Sequence, residues 1–489
     1  MSKRNIAFLS GLAVILAAAL TVACNDTSTP TSRSLPGTVF AFGTDTPICD
    51  VESFAVTITS ASLVPQGGGQ PTPLITSAAP ATVDFARLTN FTNILSTASV
   101  TQFGSYSQLQ MTLTNPQLIV LDTSTSPPTP QTVPVTLTAT TLTITINPAL
   151  VISGATVGGL MMDFDLGQSL QVNASGQVTG TVDPQITLTV TTPSGTTVGE
   201  ASALYGVIQS VSTAVSSGFT GSFGLALHDG TGQTLTILAN SSTVFEGDGV
   251  TSFANLTAGT FVEVDAIVNT SGQIIAQTVV SEEATATATA TTQESAFLGK
   301  IINVTRNSSD NATSFTLLVH DEVPDASGLV PLYSGLIVTL TDTTKYFTNW
   351  QYLNQQAFTF GPTTLGLAQK VAVFGVLGSG STPTMTANQV FLRPRNVPGH
   401  FTALLAPGSG GFTLTPCEDL FGGKAITVLT SANTVFNGVS GLTGLTAAPM
   451  LDTMGVLFYE QTSGRTSGGA IWTAPTWIMQ PREVHQLPN

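Results

Sequence analysis

Charge is what this chain of 489 residues has least of. It carries 13 Lys and Arg, 28 Asp and Glu and four His, so charged residues make up 8% of it, against about 25% in an average globular protein. A formal net charge of −15 with so few basic residues leaves no basic patch for phosphate, which excludes nucleic acid as a partner. The same shortage excludes charge-driven docking on anionic lipid. Apolar runs long enough to cross a bilayer are missing beyond the N-terminus: Val151–Leu166 is interrupted by glycines, Asp163 and Asp165. Three cysteines are too few for a disulfide framework. There is no Gly-x-Ser-x-Gly elbow, His-Glu-x-x-His, phosphate loop or Cys-x-x-Cys, so no cofactor is expected. Yet 42% of the residues are hydrophobic, too many for a disordered chain. Solubility then falls to Thr, Ser, Asn and Gln on exposed strand faces.

The N-terminus supplies the clearest signal. Lys3 and Arg4 precede an uncharged run from Ile6 to Leu20, followed by Thr21-Val22-Ala23-Cys24. A basic start, a short apolar core and a small residue before the break read as a secretory signal, residues 1–23. Cysteine directly after the small residue resembles the lipobox of bacterial lipoproteins, with Leu20 one place upstream of that family's usual leucine. The resemblance implies acylation of Cys24, palmitate included, and membrane attachment through the lipid. Asn25, where inner-membrane lipoproteins have Asp, favours the outer membrane. Residues 24–36, polar and Pro-containing, read as a tether.

From Gly37 the pattern is β. Phe54-Ala-Val-Thr-Ile-Thr and Leu142-Thr-Ile-Thr-Ile alternate with period two. The one helical candidate is Leu88–Ser96. These strands define a first domain over 37–192. Thr44-Asp45-Thr46-Pro47 before Phe54–Leu63, then Val83-Asp84-Phe85, a short helix over Leu88–Leu95, Phe103–Leu109 and Asp163-Phe164-Asp165 follow in order. They resemble an uncharacterised bacterial lipoprotein domain, which brings no activity with it.

The remainder repeats. Ser222-Phe-Gly-Leu-Ala-Leu-His228-Asp229 matches Ser314-Phe-Thr-Leu-Leu-Val-His320-Asp321, and Gly411-Phe-Thr-Leu-Thr-Pro-Cys417-Glu418-Asp419 is a drifted third copy. A glycine-led strand precedes each, at Gly206, Gly299 and Gly399, and a Thr/Phe signature follows, at Thr243, Thr344 and Thr434. Copies of this length exceed a solenoid repeat, so each should close on itself. Five short strands with glycines at the bends suit a small barrel of the OB type. The expected fold is therefore all-β: an N-terminal β-sandwich-like domain followed by three tandem OB-like barrels at 204–282, 296–393 and 397–483. The units resemble a second uncharacterised bacterial envelope family. An Ala/Thr stretch over 283–295 reads as a linker that lets the copies move relative to one another.

Few residues offer chemistry. His228-Asp229 and His320-Asp321 would be turn caps at strand ends, with ligand or catalytic use as the other reading. Asp163 and Asp165 alternate along one strand face and would tie down backbone amides; with Asp45 or Asp84 they are weak candidates for calcium. Trp350, Tyr352, Trp472 and Trp477 would be core residues or, for the last two, a sugar-stacking platform. Cys49 and Cys417 would be two separate buried thiols in different domains, with a disulfide as the alternative. The preferred function is a non-catalytic envelope lipoprotein binding a glycan or an envelope protein. The rival is an envelope hydrolase or other enzyme with an unrecognised site, and it requires three or more of Asp, Glu, His and Lys to converge in one cleft.

Overall fold

The computed structural model describes residues 36–487 apart from 47–48, 89–91, 174–177, 192, 228–231, 247–249, 282–293, 324–329, 349–357, 406–409, 448–449 and 466–470. The chain is all-β, and the expected fold class is the one observed.

Two sheets face each other in the N-terminal unit. In the first, Gly37–Thr46 pairs in parallel with Val157–Asp165, flanked by Asn93–Val100 and Ile186–Thr191. The second is built on the long strand Gly104–Asp122, which pairs with Val51–Pro65 and with Thr141–Ile152 and Thr129–Val133. Period-two alternation sends Phe54, Val56 and Ile58 inward against Leu160, Met162 and Phe164 of the other sheet. The helix expected over Leu88–Ser96 is absent. Phe85–Leu88 is one 3-10 turn, and Asn93–Val100 is a strand pairing with Gly37–Gly43. Its residues Ile94 and Leu95 are both buried, on opposite faces. Burial on both sides makes a short apolar run read alike as helix or strand, and pairing with the central strand decides it.

The same closed path occurs three times. In the first barrel Thr197–Ser212 pairs with Gly221–Leu227 and with Phe261–Asn269. Gly221–Leu227 leads to Thr234–Ala239, which joins Ile274–Ser281 in parallel, and Ile274–Ser281 returns to Phe261–Asn269. The order first-second-third-fifth-fourth, closed on the first with third and fifth parallel, recurs in Glu294–Arg306, Ala312–Val323, Gly335–Thr339, Lys370–Leu377 and Thr384–Leu404. It recurs again in the third barrel. That barrel uses the second half of Thr384–Leu404 as its first strand, so this 21-residue strand serves two barrels.

Local chemistry explains why the repeat signatures persist. A Cβ at Gly206, Gly299 or Gly399 would collide with the carbonyl oxygen of Ala226, Leu318 or Thr415 on the second strand, a backbone approach that only glycine permits. Thr243, Thr344 and Thr434 donate their hydroxyls to the carbonyls of Ala276, Ala387 and Pro481 on the fifth strands, at 2.8, 2.8 and 3.0 Å. Each hydroxyl also accepts the N–H three residues earlier at 2.9 Å. One threonine thus closes the turn after the third strand and ties it to the barrel wall. Phe223, Phe315 and Phe412 hold one position in the second strand, opposite Ile237, Val338 and Val428, and all are fully buried.

The units pack against one another, and the Ala/Thr stretch expected to act as a linker falls mostly outside the described residues. Phe40, Phe42 and Ile94 on the outer side of the first sandwich sheet enter the core of the first barrel. Gln233 of that barrel donates to the carbonyls of Ile94 and Leu95 at 3.0 and 2.8 Å. Leu429, Met454, Val456, Phe458 and Ile478 of the third barrel share a core with Phe297, Ile301 and Phe315 of the second. Truncating Phe315 to Ala is therefore expected to cost about 3–5 kcal/mol. The second and third barrels should lose stability together, as a single shifted transition in urea; a third barrel that melts unchanged would contradict the shared core.

Candidate functional site: a charged junction inside the molecule

Scarce charges converge where the sandwich meets the second and third barrels. The strand Val51–Pro65 begins there with Glu52, Ser53 and Phe54 all buried, because barrels cover the side that would otherwise face solvent. Lys300, from the first strand of the second barrel, donates to Glu52 Oε1 at 2.5 Å and to Glu418 Oε1 at 2.6 Å. Arg395, from the shared strand, donates to Glu418 Oε2 at 2.5 Å and to the carbonyl of Ala368. His320 Nε2 lies 3.5 Å from Glu52 Oε2, at the outer limit of a hydrogen bond. The four charged side chains are 3–10% exposed.

Alternating sign makes this interior tolerable. Burial would raise the carboxyls of Glu52 and Glu418, but Lys300 and His320 for the first and Arg395 and Lys300 for the second hold them below the usual range. Burial likewise opposes the Lys300 ammonium, and Glu418 and Glu52 override it. His320 goes the other way: burial, with Lys300 and Arg87 nearby, outweighs Glu52 and keeps the imidazole neutral at neutral pH.

A second arm runs alongside. Arg87 of the sandwich pairs with Asp321 at 3.1 Å. Asp84 accepts Ser53 Oγ at 2.7 Å, the N–H of Phe54 at 2.9 Å and the hydroxyl of Tyr333. A third contact, Arg393 with Glu263 at 3.6 Å, reaches the first barrel, and Lys370 lies 5.6 Å from the ring centre of Tyr205 there. Burial lowers Lys370 to about 8. Of the 13 Lys and Arg, Arg87, Lys300, Lys370, Arg393 and Arg395 are all committed to contacts between units.

A covalent bond closes the same junction. Cys49 and Cys417 form a disulfide across 368 residues, Cα to Cα 5.7 Å, which corrects the expectation of two separate thiols. The reason lies in packing: the third barrel sits on the start of strand Val51–Pro65, so Cys417 beside Glu418 meets Cys49 near Glu52. Asp50 Oδ1 accepts the N–H of Asp419 at 2.9 Å in the same place. Burial, with Asp419 and Glu418 close, pushes Asp50 up to about 6.

The other expected sites fare differently. His320 and Asp321 lie within strand Ala312–Val323, not at its end, so the turn-cap reading fails. Their opposite faces carry them to Glu52 and to Arg87. Asp45 accepts the N–H of Leu166 at 3.1 Å. Asp165 caps the one-turn helix Leu166–Ser169 by accepting the N–H of Gln168 at 2.9 Å. Asp163 is raised to about 6 by burial and by Asp165. Among the described residues, no three His, Cys, Asp or Glu are arranged to hold a metal. Trp477 is 5% exposed, packs between Phe421 and Tyr459 and donates Nε1 to the carbonyl of Leu367 at 2.9 Å; it is core, not a stacking platform. Trp472 has its backbone in the strand Ile471–Trp472, and its side chain lies outside the description, as do Cys24, His228, Asp229, Trp350 and Tyr352.

Glu52, Lys300, Arg395 and Glu418 went unnoticed in the sequence. The available signal was a lone charge inside an apolar strand, as in Phe297-Leu-Gly-Lys300-Ile-Ile, in a chain with little charge to place.

A further buried acid, Asp452, gives the molecule a pH dependence. It is fully buried, and burial lifts it from 3.8 to about 7 despite His485 and Arg395. Between about pH 4 and 7 the folded chain keeps this proton and the unfolded chain has lost it, so stability falls as pH rises through that window. Asp452→Asn is expected to flatten the fall and to be the more stable protein at about pH 8. Urea midpoints across that range check it; an unchanged slope in the variant would refute the assignment.

Residues 37–179 match the family model described as a domain of unknown function, DUF4382. The match takes in Glu52, Asp84 and Arg87 and omits their partners Lys300, Tyr333 and Asp321. It also stops short of Ile186–Thr191, which completes the first sandwich sheet. No curated protein matches the chain. Among solved structures, "drosophila Unr CSD456" aligns at 9% identity over 59% of this chain and 98% of its own. Its TM-score of 0.14 carries no argument about fold.

Proposed function

We propose that this protein is a non-catalytic lipoprotein of the bacterial cell envelope, held through Cys24, whose β units form one rigid body for binding a surface partner or polymer. The observation that carries this reading is the closed junction. Glu52, Lys300, Glu418 and Arg395 satisfy one another inside the molecule and join units, which supports a structural use of the groups an enzyme would expose. The convergence of Glu52, Glu418, Lys300 and a neutral His320 favours the rival enzyme, and their burial weighs against it.

Two measurements test the reading. Cys24→Ala is expected to release the protein from the membrane fraction and abolish acyl labelling; a wild-type protein already soluble and unlabelled would overturn the anchor. Turnover of any hydrolase substrate that Glu52→Gln abolishes, with the fold retained, would favour the rival.

A further inference from the structure

We propose that the outward face of the second sandwich sheet binds a neutral polysaccharide; this rests on the reading of the protein as a non-catalytic binder. The first sheet's outer face is covered by the first barrel. Away from the junction the second sheet's is half-buried at Thr57, Ser60, Ser62 and Thr112 and exposed at Gln110 and Thr143. Register places Ser60, Thr112 and Thr141 in one cross-strand row and Ser62, Gln110 and Thr143 in the next. Rows of such a face are about 7 Å apart and columns about 5 Å. No ionisable residue occurs in 57–64, 108–114 or 141–145, although the whole chain carries a net charge of −15.

The array ends in a shallow, open groove lined by Ala55, Thr57, Thr82, Asn115, Pro116 and Gln117. Asn115 has φ 49°, a left-handed conformation that asparagine tolerates, and its side chain and that of Gln117 are exposed.

Chemistry selects the occupant. Hydroxyls and amides donate and accept hydrogen bonds at once, which suits sugar hydroxyls. A polyanion would need Lys or Arg, and a protein partner would need aromatic or Arg anchors; none occurs in these three segments. Threonine on an exposed strand follows from β-propensity alone, whereas the paired amides of Gln108 and Gln110 and the groove do not. Without an aromatic platform each sugar contact is weak, so a polymer spanning several rows is favoured over a short oligosaccharide.

Retention of the full-length protein in detergent on cellulose, chitin and amylose particles, with alginate beads as the anionic arm, tests this. Binding to at least one neutral polysaccharide is expected, reduced about tenfold or more by Gln110→Glu with Thr143→Glu and unchanged by Thr236→Glu on the exposed wall of the first barrel. Circular dichroism confirms that each variant is folded. Retention on no neutral polysaccharide, on alginate alone, or equally by the face variant overturns the site while leaving non-catalytic binding in place. Turnover of a retained polysaccharide would instead overturn the reading beneath it.

Discussion

Replacing Lys300 by Ala is expected to cost about 3–5 kcal/mol of stability, the scale for removing one partner of a buried ion pair. The loss arises because Glu52 and Glu418 stay buried and their shared cation is gone. Arg395 still reaches Glu418, so the larger penalty falls on Glu52. Hydrogen exchange should quicken in Val51–Pro65 and Gly411–Pro416, whose ends are joined at this junction and its disulfide. Adding Glu52→Gln to Lys300→Met should recover much of the stability, since a neutral junction has no uncompensated charge. Acid should act in the same direction as Lys300→Ala: carboxyls held below their ordinary value stabilise above pH 4.5 and lose that contribution as pH falls through their folded values. A Lys300→Ala protein within about 1 kcal/mol of wild type, the scale of an exposed pair, would show that the junction is solvated.

Cys49→Ser with Cys417→Ser is expected to lower stability by about 2–5 kcal/mol. The bond closes 368 residues, and a long closed loop restricts the unfolded chain most. Denaturant midpoints of the oxidised wild type, the reduced wild type and the double variant should place the last two together. The folded double variant should keep its three barrels, because Gly206, Thr243 and their counterparts act within single barrels. A double variant as stable as the oxidised protein would mean that the ion pairs alone hold the junction.

What was legible in the sequence was local. Phe223, Phe315 and Phe412 marked three copies because the pleat fixes which face each residue takes. Thr243, Thr344 and Thr434 recurred because each closes a turn over three residues. The shared strand was less visible: Arg393-Pro-Arg395-Asn-Val-Pro398 looks like a boundary between domains and is continuous strand. Its two prolines need not break it, since residues at the seam pair with Leu451–Glu460 of the next barrel. The junction was not legible at all. Glu52 and Lys300 lie 248 positions apart, and nothing near either residue records the other. His320 illustrates the difference: its place in the repeat was correct, and its role was set by Glu52 from another unit. Cys49 and Cys417 failed for the same reason, since their meeting depends on how the third barrel seats on the sandwich.

Sandwich and barrels form one body held by contacts between units, which cutting the chain puts to the test. A protease site placed within residues 282–293, followed by cleavage and full reduction, leaves the segment up to Ser281 and the segment from Glu294 without a covalent link. The two should co-elute in gel filtration at low salt, held by Glu52 with Lys300, Arg87 with Asp321, Arg393 with Glu263 and Asp84 with Tyr333. Lys300→Ala should weaken their association. Two folded fragments that separate on reduction, with Lys300 intact, would contradict the account.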